Sequence, residues 1–396
     1  MRIVFVHDRY QQAGGEDPIF AAESELMEAH GHTVMRYEDD NARVAGMKPW
    51  TVAATTFWSR RAFDDLRSMF RSFRPDVVHF HNTFPLISPS GYYAARSERI
   101  PVVQTIHNYR LICPSATLFR DGRPCVDCVG RAVPWPAVLH ACYRGSRPGS
   151  LVVAGMLSTH RLIGTWRRLV HVYIAPSEFA RQELMSGGLP GDRIVIKPNF
   201  INPDPGAGRH AGAFALFIGR LTIEKGLRTL LAAWERLDGA IPLKIVGDGP
   251  LADVVAEAAA RLPAIEWLGR KPRDEVVRLM QDARLLVVPS IWYEGFPMVI
   301  AEAFAAGLPV VASDLGGLGE IVRDSAGGLL FTADDSDALA SRMLWAWSHP
   351  ADMVALGEAA RRDYEERYTL ERSHRMHLEI YERARETRAR SASRGG

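Results

Sequence analysis

The sequence predicts an α/β protein with two doubly wound parallel sheets in series, on three observations. Apolar runs of strand length alternate with helical stretches; the alternation halts at a Pro/Gly-rich segment and restarts; and 396 residues exceed one ordinary core. The first set of runs lies at residues 3–6, 33–37, 77–80, 102–106, 172–175 and 194–196. The second set lies at 214–218, 243–246, 265–268, 285–288, 309–312 and 328–331. Between them Lys197-Pro-Asn-Phe-Ile-Asn-Pro-Asp-Pro-Gly-Ala-Gly208 has no periodicity and reads as the linker. The expected domains are therefore 1–202 and 203–369, followed by a helix over 370–390 that returns to the first domain and a disordered tail over 391–396. Ligands of open sheets bind beyond the strand C-termini, so two such domains are expected to face each other across a cleft.

Composition removes several function classes. The apolar fraction is 47%, the charged fraction 24% and the net charge +2, which leaves no electrostatic footprint for nucleic acid. The charge is uneven: residues 1–200 hold 24 Lys/Arg against 18 Asp/Glu, the rest 24 against 28. The opening Met1-Arg-Ile-Val-Phe-Val-His-Asp8 is too short in its apolar run for a secretory leader, and no stretch is apolar over a bilayer's span. A cytoplasmic protein is expected, with a peripheral place on the cytosolic face of the inner membrane as the extension of that reading. Arg60, Arg61, Arg67, Arg71 and Arg74 alternate with aromatic residues, and Arg144, Arg147, Arg161, Arg167 and Arg168 surround an apolar stretch. Such segments suit an anionic membrane surface, or simply form amphipathic helices with solvated arginines.

The densest chemistry is Glu294-Gly-Phe-Pro-Met-Val-Ile-Ala-Glu302, two carboxylates eight positions apart after an apolar run. Pro297 suits the first position of a helix, so the backbone from Gly295 through Phe296 to Val299 is expected at a helix mouth that favours an anion. The carboxylates then suit hydroxyls, Glu302 a ribose diol and Glu294 a second sugar; otherwise they are two solvated helix-end glutamates. Gly219-Arg220 ends the first run of the second half, and Glu224-Lys225-Gly226 follows. Arg220 and Lys225 together would neutralise a diphosphate without a catalytic metal. Gly247-Asp-Gly249-Pro-Leu-Ala252 fits a dinucleotide fingerprint and raises a nicotinamide oxidoreductase as a rival, but it follows the second run of its half rather than the first. Gly247 and Gly249 are expected to form a tight turn beside a nucleotide.

In the first half, Gly14 and Gly15 follow the first run and precede a helix, where they can cradle a phosphate or form a plain turn. His107 follows the fourth run and can bind a sugar hydroxyl or handle a proton. His81 and Asn82 at the end of the third run, with Asn108 and Tyr109, are expected on the acceptor side. Cys113, Cys125, Cys128 and Cys142 fall within thirty residues and offer a structural zinc set, or separate thiols.

These residues resemble a retaining glycosyltransferase of family 4, with the GT-B fold. The resemblance runs through the Gly14-Gly15 loop, His107, Lys197-Pro-Asn199, Gly219-Arg220, Glu224-Lys225-Gly226, Gly247-Asp-Gly249-Pro, Leu268-Gly269-Arg270 and the two glutamates. It implies Arg220 and Lys225 on the donor diphosphate, Glu294 with Gly295, Phe296 and Pro297 on the donor sugar, and Glu302 on the ribose. It places Arg270 and Lys271 beside the base and makes His107 the active-site histidine. Phe200 departs from the small residue common after the linker asparagine. The stretch from His107 through the cysteines is similar to a bacterial subgroup that builds surface polysaccharides. Implied are a UDP- or GDP-sugar donor, a saccharide acceptor joined to lipid, and no catalytic cofactor. The rivals are a GT-B nucleotide-sugar epimerase and a non-catalytic binding protein.

Overall fold

Strand β1 (Arg2–Arg9) lies between β2 (Thr33–Asp40) and β3 (Val77–Asn82), parallel to both. The sheet continues through β4 (Val102–Thr105), past a two-residue hairpin of β5 (Phe119–Arg120) and β6 (Arg123–Pro124), to β7 (Val172–Ala175) and β8 (Ile194–Ile196). Its order is β2-β1-β3-β4-β7-β8. In this computed structural model, which describes residues 1–10 and 15–393, the chain forms two compact units. One comprises Met1–Leu118, Val126–Pro198 and Ser373–Gly396, the other Phe119–Cys125 and Asn199–Arg372.

The second sheet is built from β9 (Ala215–Ile218), β10 (Leu243–Val246), β11 (Ile265–Gly269), β12 (Leu285–Val288), β13 (Val310–Ser313) and β14 (Gly328–Phe331). Every pairing in it is parallel, and the order is β11-β10-β9-β12-β13-β14, the doubly wound 3-2-1-4-5-6 arrangement. Period-two alternation fills both faces. Ala215, Phe217, Leu285, Val287 and Val311 join one core with Leu230, Trp234, Leu339 and Met343. Leu216, Leu286, Val288, Val310 and Ala312 join the other with Ile300 and Phe304. Trp234 is 1% exposed and its indole N–H donates to Ile241 O at 2.8 Å, so its large apolar body is buried without an orphaned donor. That burial contributes on the order of 4–6 kcal/mol as an upper bound.

In the first unit, Ile3, Phe5, Val77, Val103, Val172 and Ile174 face Phe20 and Met27 of the helix Glu16–Ala29. The final helix, Leu370–Ser393, runs three residues past the end expected for it and adds Ile380, Tyr381 and Ala384 to the same core. Residues 394–396 of the expected tail lie outside the described part.

Candidate functional site

In the second unit the strand order reverses between β9 and β12, the position where a doubly wound sheet leaves a crevice at its C-terminal edge. The turn after β9 carries Lys225 and the turn after β12 carries Glu294, and they meet there: Lys225 Nζ donates to Glu294 Oε1 at 2.8 Å. Ser290, one residue beyond Pro289, donates its hydroxyl to the same oxygen at 2.6 Å. Gly226 makes this meeting possible. Its φ is +70°, and a Cβ there would sit 1.8 Å from Pro289 O, so only glycine lets the two turns close.

Glu294 is 5% exposed. Burial pushes its carboxyl up, yet Lys225, with Ser290 and Trp292, outweighs that and holds it below the usual carboxylate value. Glu302 differs. It lies half-buried in the helix Met298–Ala305, and burial raises its carboxyl despite Arg273 nearby. The helix begins one residue later than expected, with Pro297 as its cap. Pro297 has no N–H to offer, and Met298 N–H donates to Phe296 O at 3.0 Å, so the expected unbroken row of anion donors is corrected to the half-buried Gly295, Phe296 and Val299.

Gly219 and Gly247 are locked together. Gly219 N–H donates to Val246 O at 3.0 Å, Gly247 has φ +143°, and a Cβ on it would lie 1.8 Å from Gly219 O. Gly249, at φ +157°, packs on Leu221 in the same turn. Arg220 is exposed on that edge, as is Arg270 after β11. Lys271 pairs with Glu275 at 3.2 Å, one helical turn on.

In the first unit, His107 lies two residues past β4, half-buried, with Nε2 2.9 Å from His81 Nδ1. Burial first, and His81 next, hold its imidazole well below the ordinary range, so it is neutral at pH 7. The residues expected on the acceptor side are largely engaged within the first unit. The His81 side chain is fully buried. Asn82 spends its amide on Asp8 O at 2.7 Å and on Phe84, which fixes the loop after β3. Tyr109 is 2% exposed and belongs to the core. Asn108 donates to Glu16 Oε1 at 2.6 Å and Tyr10 Oη at 3.0 Å. Gly15 has φ −66° with open space about it, so nothing there requires a glycine; Gly14 lies outside the described residues.

Among the described residues nothing supports the zinc expectation. The four cysteines do not gather as three ligands around one point, and Cys113 Sγ is instead 3.0 Å from Ser115 Oγ. Sequence reasoning missed Ser290, Glu23, Lys197 (read only as the start of the linker) and His377. The last three meet inside the first unit, from segments up to 354 positions apart, and neither spacing nor composition signals that.

Two family models match the chain: Glycosyltransferase Family 4 over residues 19–205 and Glycosyl transferases group 1 over 206–363. An amylovoran biosynthesis glycosyltransferase of Erwinia amylovora is 30% identical over 223 residues, 52% of this chain and 55% of that one. Glycogen synthase of Mycobacterium tuberculosis is 30% identical over 305 residues, 74% of this chain and 64% of that one. The matches thus span about half to two thirds of those relatives' lengths. Among solved structures, Anabaena HepE in complex with UDP superposes with a TM-score of 0.67 at 17% identity, covering 98% of this chain and 99% of that one. Sucrose-phosphate synthase from Thermosynechococcus elongatus gives 0.68 at 18%, covering 96% and 98%. At such identities these structures carry the fold alone. With two doubly wound sheets in GT-B style and both halves matched by family models, the chain belongs to the family 4 glycosyltransferases.

Proposed function

We propose that this protein moves a sugar from a nucleotide-sugar donor to a saccharide acceptor in the building of a surface polysaccharide, with retention at the anomeric carbon. The observation that carries the reading is the Lys225–Glu294 pair at the reversal point of the second sheet. A cation and a polyol-binding carboxylate set 2.8 Å apart suit a diphosphate joined to a sugar. Lys225 and Arg220 take the diphosphate, Glu294 the donor sugar and Glu302 the ribose.

The donor C1–O bond loosens toward an oxocarbenium-like centre while the two cations hold the departing diphosphate. The acceptor hydroxyl attacks from the face the diphosphate leaves, forming the new C1–O bond. Its proton passes to an oxygen of the leaving phosphate. Glu294, already engaged by Lys225 and Ser290, binds rather than attacks, unlike the nucleophile of a retaining glycosidase.

A lipid-joined acceptor is the form of saccharide we favour. Trp50, Trp135, Leu139, Leu151 and Leu162 are exposed by 53–88% on the helices Pro49–Phe57, Trp135–Leu139 and Arg147–Leu162, in a half that carries excess positive charge. That combination suits peripheral contact with an anionic bilayer. No helix among the described residues is long and apolar enough to cross a membrane.

Thermal-shift screening of UDP, GDP and their sugars identifies the donor, and proton NMR of the product reads the anomeric configuration. Inversion would overturn the front-face mechanism. Epimer formed from the nucleotide sugar without any acceptor would move the assignment to an isomerase.

A further inference from the structure

Behind His107 the first unit holds a file of buried ionisable side chains. His107 Nε2 is 2.9 Å from His81 Nδ1, and the rings stack with centroids 5.1 Å apart. His81 Nε2 is 3.3 Å from Glu23 Oε2 on the helix Glu16–Ala29, and His377 Nε2 of the final helix is 3.2 Å from the same oxygen. Both contacts lie off the straight line of a hydrogen bond, so they act chiefly as electrostatic contacts. Lys197, just past β8, donates Nζ to Glu23 Oε1 at 2.7 Å. Lys197 and Glu23 are each about 1% exposed in their side chains, and the His81 and His377 side chains are fully buried.

A buried ion pair of this kind is poor value as a stabiliser, because desolvation consumes most of its attraction. Its geometry has a chemical use instead. Burial opposes charge on Glu23, but Lys197, then His377 and His81, hold its carboxyl well below the usual range. A permanent carboxylate facing His81 Nε2 favours the proton on that nitrogen. His81 Nδ1 is then an acceptor, and among the described residues the donor beside it is His107 Nε2. The remaining ring atom of His107, Nδ1, keeps its lone pair.

We propose that His81 and Glu23 are positioning residues that fix His107 with its proton on Nε2, which leaves Nδ1 as the ring's hydrogen-bond acceptor for a saccharide hydroxyl. Lys197 keeps Glu23 charged, and His377 brings the final helix into the same arrangement. The other groups facing His81 do not compete. Phe5 and Phe20 pack on its ring at 5.8 and 5.4 Å, and His7 is 6.3 Å away with Nε2 bound to Asp17. His79, at 4.6 Å, has both nitrogens engaged by Tyr381 and Thr105. Glu23, His79 and His377 also lie within one ion's reach, but Lys197 already supplies the cation and His79 has no nitrogen to spare.

The role of Nδ1 rests on the transferase reading; the proton placement does not. The test therefore has two arms on the full chain. Ring-15N-labelled histidine is followed by proton–nitrogen NMR in the ligand-free protein, with His107→Gln to assign the signal. The expected result is one exchange-protected ring N–H on His107, at Nε2, which loses protection in His81→Phe. Phenylalanine keeps the ring volume among Phe5 and Phe20, so this variant retains its packing; Glu23→Gln is the second variant and is expected to weaken the same protection. A His107 proton on Nδ1, or a signal unchanged in His81→Phe, overturns the proposal. The second arm measures UDP release from UDP-glucose. His81→Phe is expected to lower kcat about tenfold with KM changed less than twofold. A loss confined to KM would make His81 a binding support and contradict the assignment. A wild-type protein inert toward UDP-glucose would count against that donor while the NMR arm still decides the proton placement.

Discussion

Lys225 and Glu294 work as one unit, because each is the other's nearest counter-charge at 2.8 Å. Removing the lysine leaves a buried carboxylate without its cation and, on the proposed function, the donor diphosphate without a clamp. Lys225→Ala and Glu294→Ala are each expected to lower transfer by on the order of 10²–10³, with the chain still folded by circular dichroism. Near-wild-type turnover in both would remove the pair from the mechanism. Each member was legible in the sequence because it sits in a motif just after an apolar run, and strand ends are where a doubly wound sheet places its chemistry; their contact with each other was not. His81 was legible only in part. Alternation puts His79 and His81 on one face of β3, but that face is covered by the helices Glu16–Ala29 and Leu370–Ser393, so a group expected at a ligand lies in the interior. Ser290 escaped notice because a serine after a buried run has many uses, and only the fold shows its hydroxyl on Glu294.

Individual elements carry the next set of consequences. Gly226 sits against Pro289 O with a positive φ, so Gly226→Ala strains the backbone and drives the β9 and β12 turns apart. A loss of ~3 kcal/mol or more is expected, read by urea unfolding, together with weaker nucleotide binding. An unchanged midpoint would mean the turns are not held as described. The final helix is a second case. Tyr381 is fully buried and its hydroxyl lies 3.0 Å from His79 Nδ1, so Tyr381→Ala should cost ~3–5 kcal/mol, whereas Tyr381→Phe loses one hydrogen bond. All twelve strands of the two large sheets were legible, since each is an apolar run between turn signals. Their ends were not. β1 runs on through His7, Asp8 and Arg9, where buried polar groups hide the strand from any apolar criterion. The β5–β6 hairpin has two-residue strands, too short to show a period.

The whole molecule divides its acid sensitivity unevenly. In the first unit burial lowers the imidazoles of His7, His79, His107, His160, His171 and His377, that of His171 to about 4. Their native values lie below the unfolded value of about 6.5, so below that pH the unfolded chain binds protons the native state refuses, and stability falls. Asp8 and Glu16 run the other way: burial raises both, Glu16 to about 7, so the native state gains protons from them as pH drops. Burial also lowers the imidazoles of His32 and His374 and raises Glu183, so among the described residues of this unit eight lowered histidines outnumber three raised carboxylates. Hydrogen exchange is expected to show the first unit opening more easily at pH 5.5 than at 7.5, after correction for intrinsic rates, with the second unit little changed; an equal response would contradict this. The composition gave thirteen histidines but not their burial, which only the packing reveals. The central claim, a nucleotide-sugar site built on Lys225 and Glu294, is tested most directly by calorimetric titration of UDP-glucose and GDP-mannose into the wild-type protein and Lys225→Ala. Binding of at least one donor, weakened tenfold or more by the substitution, is the result expected. Failure of both donors to bind, or equal affinity in the two proteins, would contradict it.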